Sequence, residues 1–288
     1  MHSVWLFTFS DLKTIVGPST AFGIVTALSG STLTKNPSLN SLAIIGRLPC
    51  VFFWVWINLL PFNIDNQRQA QAILEDRANK PWRLIPLGRL TASQAKSFML
   101  ICYPTALCAS MCLGATRQCV ALIFFGWAYN DLGGADKSCI TRNLINGLGY
   151  LCFTSGAAQV AARNLQFNSA AYQWFLIIGA VVVTTVQLQD TYDQDGDKSR
   201  GRWTVSLVLG DGSARWTIAL PIIFWSLFCP AYWTLDLLGF VTPLMLGSII
   251  GFRVLWVRTR TGDKNTFKIW NLWMLTMYCL PLVKRCQG

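Results

Sequence analysis

Residues 169–198 read SAAYQWFLIIGAVVVTTVQLQDTYDQDGDK, and their order decides what kind of protein this is. The run from Ser169 to Gln189 carries no charge and, as a helix, is long enough to cross a hydrocarbon core about 30 Å thick. It ends directly on Asp190, Asp193, Asp195 and Asp197. Carboxylates at the mouth of a membrane helix are expensive unless they face a polar cavity or a ligand. The stretch therefore reads as a membrane-spanning helix that delivers acids to a site at one face.

Comparable apolar runs fall at residues 14–33, 41–61, 93–115, 117–131, 142–162, 169–190, 213–232, 234–257 and 267–283. They predict an all-α, polytopic membrane protein, integral to the lipid bilayer, with about nine transmembrane helices surrounding a central cavity, folded as one domain over residues 1–288. The fourth run is short and joins the third through a basic turn at Arg117. The N-terminus lacks the pattern of a cleaved signal peptide. Residues 4–9, separated from the first run by Asp11 and Lys13, are expected at the membrane interface, where Trp is favoured.

Composition removes other classes. Only 13% of the residues are charged, against about a quarter in soluble domains. The net charge of +11 would suggest nucleic acid in a soluble chain. Here it reads as basic loops that orient a membrane protein, and no nucleic-acid partner is expected. The loops after the second, fourth, sixth and eighth runs carry Arg68 to Arg89, Lys137, Lys198 to Arg202 and Arg258 to Lys264, whereas the alternate loops hold only Lys35, Arg117 and Arg163. The basic set is expected in the cytoplasm; the tail residues Lys284 and Arg285, on the other side, oppose that orientation weakly. Nearly all acids follow the basic set, and Asp236 is the clear exception. The ten cysteines lie mostly inside apolar runs, and with His2 as the one histidine and no CxxC pair a zinc site is not expected.

Two clusters carry the chemistry. In the first, Asp190, Asp193 and Asp197 are spaced i, i+3, i+7, which on a continuous helix sets three carboxylates on one face, with Asp195 pointing away. Mg2+ held by one or two of them together with phosphate oxygens would relieve their repulsion; a polar loop in which they pair with Lys198, Arg200 and Arg202 is the competing reading. The second cluster, NIDNQRQAQAILEDRANKPWRLIPLGR (Asn63 to Arg89), offers Asp65, Asn66, Gln67, Glu75 and Asp76 as oxygen donors and Lys80 and Arg83 as phosphate-binding cations. A continuous helix would align Asp65 with Asp76, eleven residues on. Beyond Asn79, Pro81, Pro86 and Gly88 impose a rigid loop. Two acidic stretches, each followed by cations, beneath a chain with 13 Trp and 17 Phe, point to a lipid-linked diphosphate.

At this point the residues resemble the UbiA superfamily of intramembrane prenyltransferases. Asn79-Lys80-Pro81-Trp82-Arg83-Leu84-Ile85-Pro86-Leu87-Gly88-Arg89 is similar to the family's N-K-P-x-R-P-I-P-S-G-R loop, and Asp190-x-x-Asp193-x-x-Gly196-Asp197-x-x-x-Gly201-Arg202-x-Thr204 to its second Asp-rich signature. The resemblance covers the whole chain, and the opening Leu6 to Thr14 is most similar to fungal secondary-metabolism members. It implies a cavity in which an isoprenyl diphosphate bound with Mg2+ is ionised to an allylic cation. The cation then alkylates an acceptor, a small aromatic or pyrone compound, or, in the alternative, cyclises as in the family's terpene cyclases. By the resemblance Asp190, Asp193, Asp197, Glu75 and Asp76 are metal-site candidates, and Lys80, Arg83 and Arg202 grip the diphosphate. Asn66 and Gln67 are substrate-binding candidates, and so are Tyr129, Asn130, Lys137 and Arg142 from the segment after the fourth run. The first motif departs from the family: its first Asn falls on Arg68 and its middle Asp on Ala72, neither able to bind Mg2+. Trp54, Trp56, Trp127 and Tyr150 are candidates for cation–π stabilisation or for plain packing. A transporter or receptor without chemistry is the remote third reading, disfavoured because the polar residues gather at one face rather than mid-membrane. The endoplasmic reticulum is the membrane expected by analogy.

Overall fold

The computed structural model describes residues 2–35, 40–163 and 166–287, with every side chain among them except those of His2, Ser3, Ala78 and Asn79. The Asn79 side chain of the basic loop motif thus lies outside the described residues. Twelve helices of seven residues or more are found among them: α1 (His2–Thr8), α2 (Gly17–Leu28), α3 (Leu48–Arg68), α4 (Ala70–Asn79), α5 (Ala92–Leu113), α6 (Thr116–Asn130), α7 (Cys139–Ala162), α8 (Ser169–Thr185), α9 (Gln194–Arg200), α10 (Asp211–Tyr232), α11 (Leu237–Trp256) and α12 (Arg260–Gln287). An isolated bridge, Thr34 to Phe167, is the β pairing among them.

Each of the nine apolar runs is mainly helical, with run 14–33 divided among a π turn (Leu12–Val16), α2 and a 3-10 turn (Gly30–Thr32), and run 41–61 opening on a separate short helix (Ser41–Ile45). Ser41–Arg68, Ala92–Leu113, Ser169–Asp190, Asp211–Tyr232 and Leu237–Trp256 are, by length and composition, able to cross a membrane. Side chains set the helix ends. Thr91 and Gln94 form a capping box on α5, Ser138, Asn168 and Asp236 accept from the first turns of α7, α8 and α11, and Gly114 ends α5 at φ 100°. α3 continues past its apolar run to Arg68, and α12 begins at Arg260, so polar residues ride on the ends of both helices.

Close packing follows from small residues. A Cβ on Gly23 of α2 would lie 2.6 Å from the Ala157 carbonyl oxygen on α7, an approach only glycine permits. Indole-to-hydroxyl hydrogen bonds add directional ties within the apolar interior: Trp54 donates to Ser110 (2.8 Å), Trp270 to Thr185 (3.1 Å) and Trp273 to Ser226 (2.9 Å). Phe7 of α1 is buried against α3 while Trp5 and Phe9 stay exposed, so the N-terminal segment is docked on the bundle rather than simply lying at an interface.

The helices alternate in direction, and the two ends differ in character. At one end Lys35 N–H donates to the Gln166 carbonyl, Asn168 donates to the Ser31 and Thr32 carbonyls, and Gln287 donates to Asp236. At the other end the loops after α4, α6, α9 and α11 meet, and nearly all of the acids and most of the cations lie there.

Candidate active site

The first acidic segment is not one helix. At Gln69 the backbone is extended (φ −65°, ψ 137°), so α4 turns away from α3 and Asp65 is not stacked on Asp76. Asp65 stays at the end of α3, 2.6 Å from Arg68, whose guanidinium also donates to Asp131 at 2.9 Å. Asn66 donates to Asn130 at 3.0 Å, joining two of the substrate-binding candidates. Gln67 donates to the Phe7 carbonyl at 2.8 Å, which ties α1 to α3, and its own amide oxygen is buried without a hydrogen-bond partner. On α4, Ala72 and Asp76 share a buried face, so a methyl faces inward where the family motif has its middle Asp.

The second acidic segment is broken as well. α8 tightens into a 3-10 turn over Val186–Asp190, and a new helix, α9, starts at Gln194. The three acids therefore do not form a stripe. Asp190 turns inward, where Arg142 donates to both its oxygens at 2.8 and 3.2 Å and also donates to the Tyr129 hydroxyl at 2.7 Å. Arg142 thus occupies both Asp190 oxygens, as Arg83 occupies those of Asp76. Lys137 is exposed and donates to the Leu132 carbonyl of its own loop, away from the cluster.

The remaining residues of both segments converge. Arg83 donates to both oxygens of Asp76 (2.9 and 2.7 Å). Glu75 lies 3.5 Å from Arg200 and 3.9 Å from Arg202. Both arginines also face Asp136, at 3.3 and 3.0 Å, and Arg202 donates to Asp197 at 2.8 Å. The loops are stitched by the Trp203 N–H, which donates to the Asp136 carbonyl. Asp136 and Arg200 were not among the sequence candidates. Their one signal was position, on loops of the same parity as the acids.

Electrostatics mark the centre of the cluster. Burial, reinforced by the neighbouring Arg83 charge, holds the Lys80 amine below the ordinary lysine range against the pull of Asp76, Asp11 and Asp193. Burial lifts the Asp193 carboxyl above the usual range, and Lys80 is the strongest opposing charge. The Asp197 carboxyl is pushed up to about 6, by burial first and by Asp190 second. Both shifts are of the sign that a cation bound beside these carboxylates would reverse.

Among the described residues no three His, Cys, Asp or Glu side chains gather into a metal cage. The donor set still fits Mg2+, because Asp197 Oδ2 is buried without a hydrogen-bond partner and Mg2+ uses one or two carboxylates with phosphate oxygens as the rest of its shell.

Tyr129 connects this charged cluster to an apolar one. Beneath it lies a cavity of about 60 Å³, walled by Ile15, Phe62, Phe125, Tyr150 and Phe153 with Gly126, Gly149, Asn58 and Asn146. Of the aromatic candidates for a cation, only Tyr150 lines it. Trp54 is spent on Ser110, Trp56 donates to the Thr8 hydroxyl, and Trp127 is 47% exposed on the outer face of α6. A wider cleft of about 370 Å³ opens between α4 and α9, bordered by Gln71, Glu75, Asp195, Ser199 and Arg200.

The family model described as the UbiA prenyltransferase family matches residues 16–275. The fumagillin beta-trans-bergamotene synthase of Aspergillus fumigatus is 26% identical, with 100% of this chain and 94% of that protein covered. A diterpene cyclase of Hericium erinaceus is 28% identical over 96% of this chain and 85% of its own length. Among solved structures, a UbiA homolog from Archaeoglobus fulgidus bound to DMAPP and Mg2+ has a TM-score of 0.63 at 13% identity, covering 98% of this chain and 99% of that one. At that identity the likeness speaks for the fold.

Proposed function

Because the chain belongs to the UbiA prenyltransferase family, we propose that it is an Mg2+-dependent integral membrane enzyme of the endoplasmic reticulum that ionises an isoprenyl diphosphate and cyclises the resulting allylic cation to a terpene hydrocarbon. The observation that carries this reading is the position of Tyr129, bound on one side to the Arg142–Asp190 anchor and lining on the other a cavity of aromatic rings. A diphosphate above it and an apolar chain below it would place the bond to be broken at the boundary. Cyclisation is preferred to acceptor alkylation because the cavity lining, apart from the amides of Asn58 and Asn146 and the phenols of Tyr129 and Tyr150, is apolar and holds no charged group, and because a terpene synthase and a terpene cyclase are similar to this chain over almost its whole length.

Lys80, Arg83, Arg200 and Arg202 hold the diphosphate oxygens, and Asp76, Glu75 and Asp136 keep these cations in place before substrate arrives. Asp193 and Asp197, with Glu75 and Asp76 nearby, would hold Mg2+, which would supply positive charge to the departing diphosphate. The carbon–oxygen bond breaks with its electron pair leaving on the diphosphate. Phe62, Phe125, Tyr129, Tyr150 and Phe153 line the cavity, exclude water and place aromatic rings around the cation. A ring bond forms from an alkene electron pair, and transfer of a proton to the released diphosphate restores a double bond.

The test uses membranes containing the protein, Mg2+ and geranyl, farnesyl or geranylgeranyl diphosphate without an acceptor, followed by diphosphate release and mass spectrometry of extracted hydrocarbons. A cyclic hydrocarbon is expected. Turnover that appears only when a phenol or pyrone is added identifies acceptor alkylation instead, and no release under either condition refutes both.

A further inference from the structure

Two cavities meet at one wall. The chamber beneath Tyr129 and a smaller one of about 10 Å³, bordered by Pro61, Tyr103, Ala106 and Ile123, have four lining residues in common. These are Asn58 and Phe62 of α3 and Leu122 and Gly126 of α6. Each pair is spaced i, i+4, so the wall is one turn of each of two facing helices. Asn58 is fixed, because its amide donates to the Trp54 carbonyl at 2.9 Å, and Leu122 is buried in the core. The Phe62 ring is held differently. It fills the notch left by the missing side chain of Gly126, where a Cβ would lie 3.4 Å from Phe62 Cδ2, and it rests against the Tyr129 ring at 5.5 Å between centroids.

Size turns this wall into a selector. The upper chamber, about 60 Å³, holds a handful of water molecules at about 10–15 Å³ of such space each, less than an isoprenyl chain. A chain descending from the diphosphate must displace side chains, and Phe62 is the ring that separates the chamber from the neighbouring one of about 10 Å³. We infer that Phe62, seated in the notch of Gly126, sets the longest isoprenyl chain this protein accepts. The inference rests on the isoprenyl diphosphate reading above and adds the residues that choose among donors. Removing the ring joins the chambers and admits a longer chain. A methyl on Gly126 meets the ring at the edge of ordinary contact, keeps it closed and favours a shorter one.

The experiment compares kcat/KM for geranyl, farnesyl and geranylgeranyl diphosphate in the wild type and in Phe62→Ala, Phe62→Leu, Gly126→Ala and Trp127→Ala. In parallel, thermal stabilisation is measured with non-reacting thiolodiphosphate analogues of the same three lengths. Because a single methylene in an apolar pocket is worth about 10-fold or more in discrimination, Phe62→Ala should raise the geranylgeranyl-to-farnesyl ratio at least tenfold. Phe62→Leu should shift it less in the same direction, Gly126→Ala should shift preference to the shorter donors, and the outward-facing Trp127→Ala should leave the ratio as in the wild type. A ratio unchanged in Phe62 variants that melt like the wild type overturns the inference and leaves the functional reading intact. If neither Phe62 variant folds, Gly126→Ala decides: no shift toward shorter donors overturns it. Wild-type protein that neither turns over any donor nor is stabilised by any analogue overturns both.

Discussion

Replacing Arg142 with Gln separates the two roles that Asp190 can have. Arg142 makes two hydrogen bonds to Asp190 and one to Tyr129, all buried. Charge-assisted bonds of this kind are worth about 1.5–3 kcal/mol each. Removing one partner of a buried pair, which strands the other charge, typically destabilises by about 3–5 kcal/mol. Because about 1 kcal/mol moves the midpoint of a domain of 150–250 residues by roughly 2–4 °C, Arg142→Gln should lower the melting temperature by on the order of 10 °C in detergent or nanodiscs. Combining it with Asp190→Asn removes the stranded charge and should restore at least half of the loss. The same melts with and without Mg2+ and a diphosphate analogue complete the argument. Asp190→Asn should keep the stabilisation by Mg2+ and analogue, whereas Asp197→Asn should lose it. A double variant no more stable than Arg142→Gln alone, or an Asp190→Asn variant blind to Mg2+, would refute the anchor role.

Asp197→Asn should abolish Mg2+-dependent diphosphate release, while Asp195→Asn, on the exposed face of α9, should retain most of it in the same radiolabelled-donor assay. Gln67→Leu should leave KM for the donor unchanged but expose α1 to limited proteolysis, since the lost bond is to the Phe7 carbonyl; a raised KM without faster cleavage would place Gln67 at the substrate. Gly156→Leu should destabilise by more than the about 1–3 kcal/mol of ordinary overpacking, because even a Cβ there would lie 2.1 Å from the Trp54 ring. Thermal melts measure it, and an unshifted midpoint would contradict the α3–α7 packing.

The helices were legible because an apolar stretch of membrane length has few other fates; each of the nine runs became mainly helical, and the loops of even parity met at one end as the charges suggested. The bends inside the acidic segments were not legible. Neither Gln69 nor Asp190 to Gln194 contains a proline or, before Gly196, a glycine, and local spacing alone continued the helix. Long-range pairs set the breaks: Arg68 with Asp131, Arg142 with Asp190, Glu75 with Arg200. Periodicity carries no information about partners so far apart. Trp54, Trp56 and Trp127, three of the four aromatic candidates, miss the cavity for a related reason. α6 is apolar around its whole circumference, so nothing in its pattern told that Trp127 faces outward while Gly126 and Tyr129 face the cavity.

The ion pair between Glu75 and Arg200 joins residues about 125 positions apart, and that separation sets an order of events during biosynthesis. At about 5–20 residues per second, Arg200 leaves the ribosome on the order of ten seconds after Glu75. In that interval the nascent chain presents Glu75 without its guanidinium neighbours, whereas Asp76 already has Arg83 a few residues downstream. The insertion machinery must therefore shelter a half-built bundle with an open polar mouth, and maturation of the enzyme begins only when the last third of the chain arrives to close it.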